Sequence, residues 1–252
     1  MLYVHKVVSS INEQFFEKAE FAIRQSWEAH RQAFGPILEP SFEDSPQARI
    51  ILINALNHLS RREIKRGMDL LKELRPHCEN DDDMAAWTFF TGLGFEMAGS
   101  REYALQWYSE AEKFNHRFYL PYLKQAKAAH NKANFETAQK YYAIAIECLL
   151  ETPESDKDEI AIGSTYTNLC SCLTMLHRYA EAEQALKEGQ KYKCRPGAEA
   201  IAAILYAAMG KKEKSEVYID KLCETVPQLV EQTQKMTLQI LSGTHPAFQE
   251  GN

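Results

Sequence analysis

The sequence predicts an all-α protein, and three observations support that fold class. Apolar residues recur at spacings of three and four along almost every segment, with no sustained alternation of apolar and polar residues. Only 11 of the 252 residues are glycine and 9 are proline, which favours long helices over a turn-rich sheet. The same pattern of small and large residues also returns at intervals of 34, 44 and 33 residues.

The composition restricts the classes of partner that the chain is expected to bind. A net charge of −6 argues against a general affinity for nucleic acid or an anionic membrane surface. The first residues contain no apolar stretch of signal-peptide length, and no window reaches the roughly 18 apolar residues of a membrane span. We therefore expect a cytoplasmic protein without membrane insertion. Its 6 scattered cysteines are expected to be reduced core residues.

The first 47 residues predict a helix followed by a proline-rich linker. Ser10 and Glu13 have the spacing of a capping box, and the helix that they open carries Phe16 and Trp27 on its apolar stripe. Residues 35–47 contain three prolines, which bar continuation of that helix. We assign residues 1–47 to this N-terminal helix and linker.

Short helices are expected to follow as far as residue 227 or so. The first two run from about 46 to 59 and from about 62 to 74. Asp81, Asp82 and Asp83 precede the next apolar pattern, where carboxylates favour the N-terminus of a helix.

Internal repetition is the most informative feature of the chain. Ala104, Tyr108 and Ala111 return 34 residues later as Ala138, Tyr142 and Ala145. Two further copies of the spacing are Ala182, Leu186 and Gly189, and then Ser215, Ile219 and Leu222. Two helices can approach closely only where the facing side chains are small, and a large residue then fills the remaining hollow. The first helix of each pair has its own small position, occupied by Gly92, Ala126, Cys170 and Ala203.

The glycines of the stretch from Gly92 to Gly99 allow two interpretations. A phosphate-binding loop needs a strand before the glycines and a helix after them, whereas the residues preceding Gly92 already have a helical pattern. We therefore interpret Gly92 as a packing glycine and Gly99 as the end of the first helix. For Gly94 we expect only a slight weakening of the helix.

The 34-residue unit and its small–aromatic–small pattern resemble the tetratricopeptide repeat family. The matching units are residues 85–118, 119–152, 163–195 and 196–229, and residues 48–82 resemble a degenerate fifth copy. The chain departs from the family pattern at Trp87, at Gly189 and in the inserted segment ETPESDKDEI. The resemblance implies an all-α, right-handed α–α superhelix, a solenoid of antiparallel helix pairs. Residues 230–252 would then form a C-terminal capping helix and tail.

No set of residues predicts catalysis, a metal site or a cofactor. Cys170 and Cys172 lie two apart on a predicted helix, so they point to different faces and cannot share a metal. His77 and Cys78 are expected in a polar loop, and His58 on a helix. We therefore expect no enzymatic activity, no metal and no cofactor.

The resemblance implies a binding groove lined by the first helix of each repeat. The groove candidates that follow from the register are Phe89, Leu93, Met97, Leu123, Lys127, His130, Asn131, Thr167, Ser171, Thr174, Met175 and Ile204, flanked by Ala200 and Ala207. One subset of the family grips a C-terminal carboxylate with lysines and asparagines at these positions. Only Lys127 is basic here, so that mode of binding is not expected.

These residues predict a protein-interaction scaffold that binds a peptide or a partner helix. A peptide-sensing module that regulates a partner protein is the alternative, although the first 45 residues contain no DNA-binding helix-turn-helix pattern. A third possibility is that the groove candidates pack against the chain's own N-terminal helix or tail. The sequence does not define the oligomeric state.

Overall fold

A computed structural model describes residue 42 and residues 45–153 and 158–248. The predicted N-terminal helix, Ser155 and the last four residues lie outside these described residues. Within the described ranges every regular element is helical and there is no strand, as the apolar spacing predicted. The chain divides into two compact units, residues 1–115 and 116–252, and each is described by itself.

In the first unit, four α-helices follow one another with short connections. They are α1 (Pro46–Ser60), α2 (Ile64–Leu74), α3 (Asp81–Met97) and α4 (Arg101–Phe114), with a 3-10 turn at Arg75–His77. Helix α1 packs against α2 and α3 packs against α4, while α2 also contacts α3. Consecutive helices therefore pack as pairs, in the manner of a helical-repeat protein.

Helix α3 begins where the acidic cluster predicted. The side chain of Asn80 accepts a hydrogen bond from the backbone N–H of Asp83 at 2.9 Å, which caps the helix. The carboxylate of Asp83 is buried, and it accepts backbone N–H groups from Phe42 at 2.5 Å and Glu79 at 3.0 Å. These bonds compensate the buried charge and tie the segment before α1 to the start of α3.

The second unit contains three further helix pairs and a final helix. Its helices are α5 (Tyr119–Asn131), α6 (Phe135–Glu151), α7 (Glu159–Met175), α8 (Tyr179–Gly189), α9 (Ala198–Ala208), α10 (Lys212–Thr225) and α11 (Val230–Leu241). The pairs are α5 with α6, α7 with α8, and α9 with α10; α6 also contacts α7. Helix α11 packs against α9 and α10.

The turn between the two helices of a pair has the same geometry in every pair. One residue adopts a left-handed conformation, and the next backbone N–H bonds to the carbonyl five residues earlier, for example Ser100 N to Phe95 O at 2.9 Å. The left-handed residues are Arg62, Gly99, Ala133, His177 and Gly210, with φ between 55° and 83°. The repetition seen in the sequence is thus also a repetition of backbone conformation, and Gly99 ends α3 as predicted.

The predicted packing register is confirmed. Ala104 and Ala138 are at most 2% exposed, and every other member of the four small–large–small sets is buried. The small positions of the first helices, Gly92, Ala126, Cys170 and Ala203, are buried as well. The core of each pair therefore lies along the two faces that the spacing identified.

Gly94 has a packing role that the sequence did not reveal. A Cβ atom at this position would collide with the sulfur of Met68, which lies on α2. The glycine therefore leaves room for the flexible side chain of Met68 between α2 and α3, a contact that adds to the expected slight weakening of the helix.

The last helix buries one stripe against the pair before it. Thr233, Thr237 and Ile240 are buried, and Met236 is only half-buried, so the stripe passes through Thr237. Leu238 on the opposite side is 62% exposed. None of the helices in the described ranges is both long and apolar enough to cross a membrane.

Candidate functional site

The groove candidates of the first unit differ in accessibility. Phe89 is only 1% exposed, and its ring lies 5.3 Å from that of Phe90 and 5.4 Å from that of Tyr108. Leu93 is half-buried, and Met97, at the end of α3, is 39% exposed. Phe89 is therefore a core residue in this structure, and the accessible part of the predicted strip is confined to Leu93 and Met97.

On α5, apolar and polar candidates separate in the same way. Leu123 is partly buried against a cluster that contains Ala126 and Tyr142. Lys127 and Asn131, four residues apart on the same helix, are exposed. Only these two polar side chains of α5 are fully available to a partner.

His130 is half-buried and packs between helices. Its ring makes edge contacts with Phe135 at 5.5 Å and Tyr142 at 6.2 Å, and its Nδ1 atom lies 3.5 Å from the sulfur of Cys172. Burial lowers the pKa of the imidazole, which favours the neutral form. His130 therefore joins α5 to α7 as a packing residue.

The candidates of α7 and α9 are mostly half-buried. Thr174 is buried and donates to the carbonyl of Cys170 at 2.8 Å, so it belongs to the core. Thr167 donates to the carbonyl of Gly163 at 2.9 Å. The remaining half-buried candidates are Ser171, Met175, Ala200 and Ile204, and Ala207 is buried.

In the second unit, the first helices of successive pairs contact one another directly. The contact between His130 and Cys172 joins α5 to α7, and α7 packs against α9. The three helices that carry the candidates thus form a continuous series. Their accessible and half-buried candidates combine charge, amide, hydroxyl and apolar groups.

Of the cysteines predicted to be core residues, Cys148, Cys170 and Cys172 are buried, while Cys78 and Cys194 are half-buried. Cys223 is exposed, so the expectation was wrong for that residue. Burial raises the pKa of both Cys170 and Cys172 to about 12, so their thiols remain protonated near neutral pH. In the described ranges, no three His, Cys, Asp or Glu side chains come together as metal ligands would.

A polar cavity of about 210 Å³ lies in the second unit, and sequence reasoning did not identify it. Helices α7, α8, α9 and α10 contribute to it together with the loop that connects α8 to α9. Its lining consists of Thr167, Leu186, Gln190, Tyr192, Cys194, Ala198, Glu199, Ala202, Tyr218 and Lys221. Of the groove candidates only Thr167 belongs to this lining.

Close packing at a glycine positions the loop that forms one wall of the cavity. A Cβ atom on Gly163 of α7 would collide with the carbonyl oxygen of Lys193 and lie 2.9 Å from the sulfur of Cys194. The tyrosine ring of Tyr192 in the same loop stacks on that of Tyr166, with centroids 6.4 Å apart. The loop is therefore held against α7 by shape and by an aromatic contact.

Two residues of opposite charge line the cavity, and no ion pair joins them in the described part of the chain. Glu199 lies in the first turn of α9, and its Oε2 atom is buried without a hydrogen-bond partner among the described residues. Lys221 is exposed on α10, with its ammonium 5.0 Å from the ring centroid of Tyr218. The hydroxyl of Tyr218 accepts a hydrogen bond from Gln190 at 2.8 Å. These positions are far apart in the sequence, so no local motif could have revealed the cavity.

No protein-family model and no curated protein matches the chain.

Proposed function

We propose that this chain is a non-enzymatic interaction scaffold of the tetratricopeptide-repeat type, which binds a peptide segment or a partner helix. The proposal includes the antiparallel arrangement of each pair and the right-handed superhelix that this family implies. The binding face is formed by the first helices of successive pairs, so the proposal concerns a surface and not a catalytic pocket.

The direct contact of α5 with α7 and of α7 with α9 is the observation that carries this proposal. In a helical repeat array, successive first helices lie side by side and present an extended surface. On that surface Lys127 and Asn131 are exposed, while Met175 and Ile204 are half-buried. Such a mixture suits a ligand with a few apolar anchors and flanking polar groups.

The ligand chemistry follows from the residue types that remain accessible. Met175 has a flexible, polarizable side chain that adapts to different apolar anchors. Lys127 supplies a single positive charge, so a partner segment with an acid near its anchors is favoured. Because one exposed charge contributes little in salt, binding should weaken only modestly as ionic strength rises.

Two single substitutions on different helices of the second unit test the face. The full chain is used to capture its partner from the native cell extract, and the affinity for the identified partner is then measured by calorimetry. Met175→Asp and Lys127→Glu should each weaken binding. The loss should be roughly tenfold or more for Met175→Asp, because this substitution removes an apolar contact that the partner covers in the complex. Met97→Asp tests the first unit separately.

The matched controls are acidic substitutions at exposed residues of helices that do not form the proposed face. Tyr103→Asp on α4 and Leu238→Asp on α11 change side chains that are 61% and 62% exposed, and they should leave affinity unchanged. Circular dichroism verifies that each variant remains helical. If Met175→Asp and Lys127→Glu both keep the full affinity while a control variant loses affinity, the partner binds to another face of the protein. Phe89 is not substituted because a buried aspartate there would unfold the pair.

A further inference from the structure

We propose that the polar cavity between α7, α8, α9 and α10 binds a small zwitterion that carries an ammonium group and a carboxylate, of which a free amino acid is the simplest example. This site shares only Thr167 with the groove candidates, and the inference does not depend on the face proposed above. It rests on the cavity, on the unpartnered oxygen of Glu199 and on the position of Lys221.

The ammonium specificity follows from Glu199. A buried carboxylate oxygen without a donor is energetically costly, and native proteins nearly always compensate such an atom. Oε2 itself has almost no accessible surface, but Glu199 lines the cavity of about 210 Å³, so rotation of its side chain would bring this oxygen to a donor bound there. A cationic N–H donor makes the strongest hydrogen bond that a carboxylate can accept. An ammonium group therefore compensates this oxygen more strongly than a neutral hydrogen-bond donor does.

The carboxylate specificity follows from Lys221. Lys221 lines the cavity and is exposed, and its ammonium lies over the ring of Tyr218. Because Oε2 of Glu199 has no partner, Lys221 does not neutralise that atom. A ligand with charges at both ends can pair with both residues at once, whereas a ligand with one charge leaves the other residue unpaired.

The size and the lining of the cavity set the ligand class. Pockets for drug-sized molecules range from about 300 to 1,000 Å³, so 210 Å³ suits a smaller molecule. The remaining lining mixes apolar side chains, such as Leu186 and Ala202, with the hydroxyl of Thr167 and the amide of Gln190. This combination accommodates a short aliphatic body between two charged ends.

The direct test is a titration of the isotope-labelled full chain, followed by nuclear magnetic resonance and calorimetry. The probes are L-lysine and straight-chain amino acids from glycine to 6-aminohexanoate. n-Butylamine has only the ammonium, butyrate has only the carboxylate, and Nα-acetyl-lysine amide imitates a lysine within a peptide.

At least one zwitterion should bind saturably and shift the amide signals of Cys194, Gly197 and Ala202. n-Butylamine should bind at least about tenfold more weakly, and butyrate should not bind.

Two variants test which residue binds each charged end of the ligand. Glu199→Gln keeps the shape but removes the charge, and it should weaken zwitterion binding by about tenfold or more. Lys221→Met should remove the preference for the zwitterion over n-butylamine. Glu224→Gln and Lys235→Met alter exposed charges outside the lining and should bind like the unaltered chain.

The melting temperature of Glu199→Gln provides a second measurement on the same atom. Glu199 is half-buried and only its Oε2 atom is buried without a hydrogen-bond partner, so replacing the carboxylate with an amide should leave the melting temperature the same or slightly higher. The absence of saturable binding by every zwitterion would overturn the proposal, as water alone would then satisfy Glu199. Equal binding by Glu199→Gln, or binding of Nα-acetyl-lysine amide alone, would overturn it too.

Discussion

Gly92 of α3 lies directly against the aromatic ring of Tyr108 in α4. A Cβ atom on this glycine would be only 2.8 Å from Cε1 of Tyr108 and 3.1 Å from Cβ of Trp107. The hydroxyl of Tyr108 in turn donates to the carboxylate of Glu96 at 2.5 Å. The ring is thus held from both sides, and it cannot move away without breaking a contact.

Gly92→Ala should destabilise the protein through this contact. An added methyl group must displace a buried ring, and overpacking of this kind costs about 1–3 kcal/mol of unfolding free energy. Chemical denaturation measures the loss. The double variant with Tyr108→Leu should lose less than the sum of the two single variants, because the smaller side chain leaves room for the methyl group. Strict additivity would show that Gly92 and Tyr108 do not constrain each other.

The second prediction concerns the closest approach of α5 and α6. Ala138 is 0% exposed, so Ala138→Leu should overpack the pair and cost about 1–3 kcal/mol. Ala180→Leu provides the matched control, since Ala180 is exposed on α8 and the same substitution there should be nearly neutral. Equal melting temperatures for the two variants would contradict the assigned register.

The repeated turn predicts opposite effects for two opposite substitutions. Ala133 adopts φ 55° and is exposed, so Ala133→Gly should relieve backbone strain and stabilise the protein by about 0.5–1 kcal/mol. Gly210 has φ 71°, and a Cβ atom there would meet nothing within 4 Å. Gly210→Ala should therefore cost about 1 kcal/mol from the backbone alone. Thermal unfolding of the two variants measures both effects. A change of melting temperature with the same sign in both variants would refute the shared turn geometry.

Glu112 of α4 predicts a pH dependence of stability. Burial raises the pKa of its carboxyl to about 7, above that of the unfolded chain, so the folded state binds the proton more tightly. The stabilisation from this group is complete below the unfolded pKa near 4.5 and is lost as the pH rises through about 7.

Glu112→Gln isolates that contribution because glutamine does not titrate. The variant should be more stable than the unaltered chain at pH 8, by about 1–2 kcal/mol, and the difference should shrink by pH 5. Denaturant unfolding at the two pH values measures it. A constant difference between the two proteins would show that Glu112 titrates at its ordinary pKa in the folded state.

The sequence by itself determined the helical class and the packing register. Spacing of three and four residues identifies the buried face of a helix, and Ala104, Ala138 and Ala182 mark where two helices within one pair meet. The start of α3 after Asn80 could also be predicted, since caps and first-turn acids act within a few residues. These properties are local, so the order of residues is sufficient to reveal them.

Tertiary structure alone decided the properties that depend on contacts between distant residues. Gly94 leaves room for the sulfur of Met68 from another helix, and Phe89 lies in the core instead of on an accessible strip. Glu199 and Lys221 meet at one cavity because four helices and a loop converge there. Periodicity specifies which face of a helix is buried, but it does not specify which distant side chain covers that face or what space remains between them. Accessibility and the polar cavity therefore follow only from the packing of the helices.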